Sequence, residues 1–106
     1  MKMLLSSIGI VGLTLAGHVA AQQEPDALAA AAACNTCHLL EQKMVGPSYQ
    51  AVAERYRNED GAAEQVYKRM REGSQGVWGD TPMPPVDKDT LNDQELKTVV
   101  NWILSQ

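Results

Sequence analysis

Cys34-Asn35-Thr36-Cys37-His38 constrains this chain more than any other stretch. Two thiols at this spacing with an imidazole next in line are what covalent attachment of a c-type haem requires. The thiols add across the two porphyrin vinyl groups as thioethers, and the histidine is carried under the ring to offer a nitrogen to iron. Cys34 and Cys37 are the only cysteines. A thioredoxin-like redox pair shares the spacing but wants a strand-then-helix setting, whereas the flanks here are alanine-rich and read as helix. A structural zinc site takes four ligands, more than two thiols and one histidine near them can supply.

The N-terminus agrees with that chemistry. Met1 and Lys2 precede a run from Met3 to Val19 without charge, His18 aside, and small residues follow at Ala20 and Ala21. This is the pattern of a secretory signal peptide over residues 1–21, with cleavage after Ala21. A retained transmembrane anchor is the competing reading; the small-residue exit and the polar Gln22-Gln23-Glu24 favour cleavage. Export places the thiols in a compartment where haem attachment protects them from oxidation, and it discards His18, leaving His38 as the only histidine.

The domain that remains, residues 22–106, is short. Near 80 residues a core usually needs a staple such as a metal, a disulfide or a cofactor, and this chain has no phenylalanine. A large flat apolar cofactor would supply that missing volume, so the haem-free chain is expected to be largely unfolded. Without Lys2, eight of the nine Lys and Arg face thirteen Asp and Glu. With no basic cluster, nucleic acid is not an expected partner.

The rest reads as helix and loop. Pro25-Asp26 opens a helix that strong helix formers continue through Ala33 to Cys34. From Leu39 to Val45 periodicity is lost. Gly46-Pro47 then starts a second helix through Tyr49, Val52 and Ala53 to about Arg57, and Asn58 to Gly61 reads as a turn. Ala62 to Glu72 is a third helix with Val66 and Met70 on one face and Lys68 and Arg71 outward, stopped by Gly73. Gly73 to Asp89 should be ordered loop. Asn92 with Glu95 approaches a capping box, Leu91 and Leu96 suit a hydrophobic staple, and Leu96, Val99, Val100, Ile103 and Leu104 form the apolar face of the last helix beside Trp102. No segment alternates like a strand, so the fold class is all-α.

An iron held by His38 has a sixth position to fill. Met83, in Thr81-Pro82-Met83-Pro84-Pro85, is the candidate: flanking prolines stiffen the backbone, so the thioether is presented with little entropy left to lose. Its alternative role is an apolar gap-filler, which suits Met44 and Met70 better. Trp78 and Arg69 carry donors fit for partly buried haem propionates; a packed aromatic and a solvated helix charge are the alternatives.

Taken in order, Cys34-x-x-Cys37-His38, Gly46-Pro47, the run from Gly73 to Gly79 through Trp78, and Pro82-Met83-Pro84-Pro85 resemble a small bacterial class I cytochrome c of the cytochrome c-551 group. The resemblance implies four or five helices and long loops wrapped around one haem c bound through Cys34 and Cys37. It implies His38 and Met83 as axial ligands, the Pro47 carbonyl as acceptor for the second imidazole N–H, and Arg69 and Trp78 as propionate donors. Three departures stand out. Ala29 and Ala33 replace an aromatic in the first helix and a glycine before the first cysteine, which would alter packing against Trp102. Val86 replaces an asparagine that can approach the sulfur, so Met83 is expected to be less firmly oriented. The stretch from Val86 to Asn92 is a few residues longer than is typical.

The implied function is a monomeric periplasmic electron carrier rather than an enzyme. Its iron would cycle between Fe(II) and Fe(III) to serve redox proteins such as a nitrite reductase, a cytochrome c peroxidase or a terminal oxidase, with no stable membrane insertion after cleavage. Two other classes make contrary predictions: a haem enzyme or gas sensor would bind carbon monoxide readily, and a thiol-disulfide oxidoreductase would show free thiols.

Overall fold

A computed structural model describes residues 23–106, together with Gly12 and Gly17; the expected leader otherwise lies outside the described residues. Among the described residues four helices make the framework: α1 Pro25–Ala31, α2 Tyr49–Tyr56, α3 Ala62–Glu72 and α4 Asp93–Leu104, with a short 3₁₀ turn at Cys34–Thr36. Among the described residues there is no strand beyond one isolated antiparallel bridge, Ser74 to Met83. The all-α expectation stands, and the third helix has the expected bounds.

α4 is the hub, with α1, α2 and α3 all packed on it. Its apolar residues recur at the i, i+3, i+4, i+7 spacing that gathers them on one face of a helix, and Leu96, Val99, Val100 and Ile103 are all buried. Leu91 is buried ahead of the helix, opposite Leu96 in the staple position. The capping box is complete: the Glu95 amide donates to Asn92 Oδ1 at 2.8 Å, and the Asn92 amide donates to Glu95 Oε1 at 3.0 Å. Satisfying two orphan donors at once fixes where α4 starts, and so which face meets the core. Leu28 and Ala29 of α1, Tyr49 and Tyr56 of α2, and Val66 and Met70 of α3 complete that core.

The first helix is shorter than its composition predicts. It ends at Ala31, and Ala33 turns into the left-handed region at φ 61° before the chain enters the 3₁₀ turn. Alanine propensity favours continuation; the need to swing Cys34 and Cys37 off the helix axis wins. Ala29 is fully buried, so the small residue lets α1 lie directly on α4, and Trp102 instead sets its ring against Tyr49, 5.0 Å between centroids at 64°.

Arg71 corrects the sequence reading. It does not face outward: its side chain is 13% exposed, and its guanidinium bonds the carbonyls of Val86 and Leu91 and the carboxylate of Asp93. Helical periodicity placed it on the polar face, but the loop after Met83 folds over that face and covers it.

Candidate haem site

The expected ligands line one cavity of about 1000 Å³, counting its open mouth. One side is drawn from residues 34–56, including Cys34, Cys37, His38, Pro47 and Tyr49. The other is drawn from residues 66–84, including Arg69, Trp78 and Met83, and Ile103 of α4 also lines it. Residues nearly fifty positions apart in sequence thus share one mainly apolar chamber.

The histidine side is built by short backbone links. The His38 amide donates to the Cys34 carbonyl at 2.9 Å, and the Gly46 amide to the Cys37 carbonyl at 2.8 Å, which closes the loop between them. Tyr49 and Gln50, opening α2, donate to Leu39 and Leu40. Ser48 caps α2 by accepting from the Ala51 amide at 3.0 Å. These contacts bring Pro47 to His38, whose Nδ1 lies 2.7 Å from the Pro47 carbonyl oxygen. A proline carbonyl can only accept, so Nδ1 is the donor in this contact and Nε2 is the ring nitrogen left to offer a lone pair to a metal. Gly46 is required by contact rather than by conformation: a Cβ there would lie 2.5 Å from His38 Cε1 and 2.9 Å from Nδ1.

Burial pushes the Tyr49 hydroxyl up to about 12, and a Cys34 thiolate nearby would push in the same direction. That hydroxyl donates to Asn35 Oδ1 at 2.8 Å and ties α2 to the cysteine turn. The Cys34 thiol is likewise pushed up, first by burial. A redox-active pair depends on a lowered thiol pKa, so Cys34 stands in the wrong environment for thiol-disulfide exchange.

The methionine side is held differently. Ser74 and Met83 exchange both backbone hydrogen bonds, at 2.8 and 3.1 Å, and pinch the loop between them into a closed lobe. At Gly73, φ +78° and a Cβ that would meet the Met83 carbonyl at 2.8 Å both demand glycine. Three residues on, the Val86 amide donates to the Met70 carbonyl at 2.8 Å and fastens the segment to α3. Met83 is partly buried between prolines; Met70 sits in the core, as a gap-filling role implies, whereas Met44 is exposed and fills no gap.

Two further residues were not legible as site residues. The Tyr56 hydroxyl is buried on the cavity wall with no partner among the described residues, an orphan donor that a bound polar group would satisfy. Arg55 lies over the Trp78 ring, 4.9 Å from its centroid, and donates to the Val77 carbonyl at 3.3 Å, so it braces the indole at the cavity edge. Arg69 lines the cavity and is exposed. The residues present fit a covalently attached porphyrin: paired thiols, a histidine with one free ring nitrogen, a thioether, an apolar chamber and donors at its margin.

The cytochrome c family model matches residues 23–106. The chain belongs to the cytochrome c family. Cytochrome c-551 of Pseudomonas aeruginosa is 40% identical over 93 residues, covering 88% of this chain and 86% of that protein. Cytochrome c-551 of Stutzerimonas stutzeri is 37% identical and covers 99% of this chain and 98% of that one. The crystal structure of wild-type Nitrosomonas europaea cytochrome c552 superposes with a TM-score of 0.70 at 38% identity, covering 76% of this chain and 96% of that one. As a cytochrome c, the protein carries one covalently bound haem c and serves electron transport. No described helix of this cytochrome is long and apolar enough to cross a membrane.

Proposed function

We propose that this cytochrome c is a periplasmic one-electron carrier between respiratory redox proteins, in which Cys34 and Cys37 would hold the haem covalently and His38 and Met83 would ligate its iron. A haem held by these residues would supply one-electron chemistry between Fe(III) and Fe(II). The observation that carries the reading is the placement of Met83. Its backbone is locked to Ser74 in both directions between two proline neighbours, on the wall of the same cavity that His38 lines.

The residues divide the work. Pro47 fixes the protonated nitrogen of His38, which sets its tautomer and keeps the imidazole basic toward a metal. Gly46 lets that ring lie flat against the chain. Met83 would offer a soft, neutral donor that favours the reduced state and would occupy a position that substrates need, which disfavours an enzymatic role. Arg69, Trp78 and Tyr56 offer donors to the carboxylates of the bound group, with Arg55 steadying Trp78. Partners would meet the open mouth of the cavity through a transient contact below about 1,200 Å². Export and cleavage of the leader follow from the charged start, uncharged run and small-residue exit of residues 1–21.

The test is an absorption spectrum of the exported protein, oxidised and reduced. A far-red sulfur-to-iron charge-transfer band that is lost in Met83→Ala, together with slow carbon monoxide binding by the reduced native protein, is the expected result. Haem without that band would overturn Met83 ligation and favour an open-site enzyme or sensor.

A further inference from the structure

We propose that Arg71 is a positioning residue for the Met83 segment, a clamp that closes the lengthened loop after the methionine and holds it against α3. This inference rests on Met83 ligation as proposed above, although the mechanical part can be measured without it.

Arg71 projects from the last turn of α3, next to Met70, whose carbonyl accepts the Val86 amide at 2.8 Å. The Arg71 guanidinium takes the other end of the same residue, donating from one terminal nitrogen to the Val86 carbonyl at 2.9 Å. Its second terminal nitrogen donates to the Leu91 carbonyl at 2.8 Å and to Asp93 Oδ1 at 3.0 Å. A single planar fork therefore spans residues 86–91, holding both ends of the segment and the first residue of α4. Val86 stands three residues beyond Met83, so a loop fixed at Val86 and at the Ser74 bridge leaves the methionine little backbone freedom.

Two neighbours aim the fork. The Tyr67 hydroxyl donates to the same Asp93 oxygen at 2.9 Å, and its ring lies 5.5 Å from the Arg71 guanidinium carbon. Lys88, exposed, reaches the other Asp93 oxygen at 3.5 Å. The side chain is committed to this place: among the described residues its Nε is buried without a partner, a desolvation cost that a solvated arginine would avoid. A lysine, with one ammonium, cannot present the same fork to two carbonyls and a carboxylate.

The geometry also answers two departures noted in the sequence. The segment from Val86 to Asn92 is longer than is typical, and Val86 offers no side-chain donor near the sulfur. Arg71 bridges the first and secures the second from the backbone.

The experiment uses the haem-loaded protein as Arg71→Gln and Arg71→Lys, with Leu28→Ala in the α1 core as a control for general destabilisation. Amide exchange reports the clamp directly. The Met83 and Val86 amides should exchange about tenfold faster or more in Arg71→Gln, while the Gly46 and Tyr49 amides on the histidine side keep their native rates. Cyanide binding to the ferric protein reports the ligand: affinity should rise about tenfold in Arg71→Gln, less in Arg71→Lys, and not in Leu28→Ala.

Unchanged exchange at Met83 and Val86 would overturn the clamp whatever ligates the iron. Faster exchange with native cyanide affinity would overturn its role in positioning Met83, provided that the far-red band is present in the native protein. Absence of that band in the native protein counts against Met83 ligation and with it the positioning role. Equal effects in Leu28→Ala would reduce Arg71 to a general contributor to stability and refute the proposal.

Discussion

Gly46→Ala should damage the histidine side of the site more than any other single-methyl addition there. The Gly46 backbone is not in the region that only glycine adopts readily, so the substitution isolates one steric effect. An ideal Cβ would stand 2.5 Å from His38 Cε1, 2.9 Å from Nδ1 and 3.1 Å from Nε2, where nonbonded carbon contacts normally lie at about 3.5–4.0 Å. The imidazole or the backbone must retreat by roughly 1 Å. Overpacking of that kind costs about 1–3 kcal/mol. The 2.7 Å bond from Nδ1 to the Pro47 carbonyl cannot survive such a displacement, which adds about 1 kcal/mol. In the haem-loaded protein the ring has a second tether and cannot simply swing away, so the expected loss is about 2–4 kcal/mol in guanidinium unfolding. The hyperfine-shifted His38 ring signals of the oxidised protein should move as the Pro47 bond weakens. A variant within about 0.5 kcal/mol of native stability, with unshifted His38 signals, would refute the steric argument.

Ala33→Gly should raise stability. Alanine at φ 61° costs about 1–2 kcal/mol, and glycine returns about 0.4–1 kcal/mol through the freedom of the unfolded chain, for a net gain of roughly 0.5–1 kcal/mol by denaturant titration; an equal or lower midpoint would show that Ala33 is not strained. The Asp93 carboxyl is held below the usual carboxylate range, first by the Tyr67 hydroxyl and then by Arg71. A depressed folded-state pKa gives stability that is present above the unfolded value of about 3.9 and lost as pH falls through the lower folded value. The gap in thermal midpoint between native protein and Asp93→Asn should therefore narrow as pH is lowered from about 5 to 2, and a constant gap would remove Asp93 from the acid response.

Local chemistry was readable in the chain wherever neighbours in sequence are neighbours in space. The haem motif, the Asn92 to Glu95 capping box, the buried face of α4, the bounds of α3 and the glycine that stops it all depend on separations of a few residues. The expectation that His38 meets Pro47 came from family resemblance, and His38 Nδ1 lies 2.7 Å from the Pro47 carbonyl oxygen. The ligation of iron by His38 and Met83 remains the proposal tested above. Arg71 shows where such reading stops. Its helical phase says polar and outward, and only the return of the chain at residues 86–91, fifteen to twenty positions later, covers it with carbonyls that need a donor. The Arg55 and Trp78 pair and the orphan hydroxyl of Tyr56 are likewise products of α2 meeting a distant loop.

By itself, then, the sequence determined the cofactor chemistry and the last two helices, because thiol spacing, capping and 3.6-residue periodicity act within a turn or two of chain. Only the tertiary structure decided that Ala33 must bend into the left-handed region, that Gly46 must make room for a ring, and that a charge on the polar face of α3 secures the methionine loop. Those outcomes depend on which remote backbone groups arrive beside each side chain, and no local pattern encodes that.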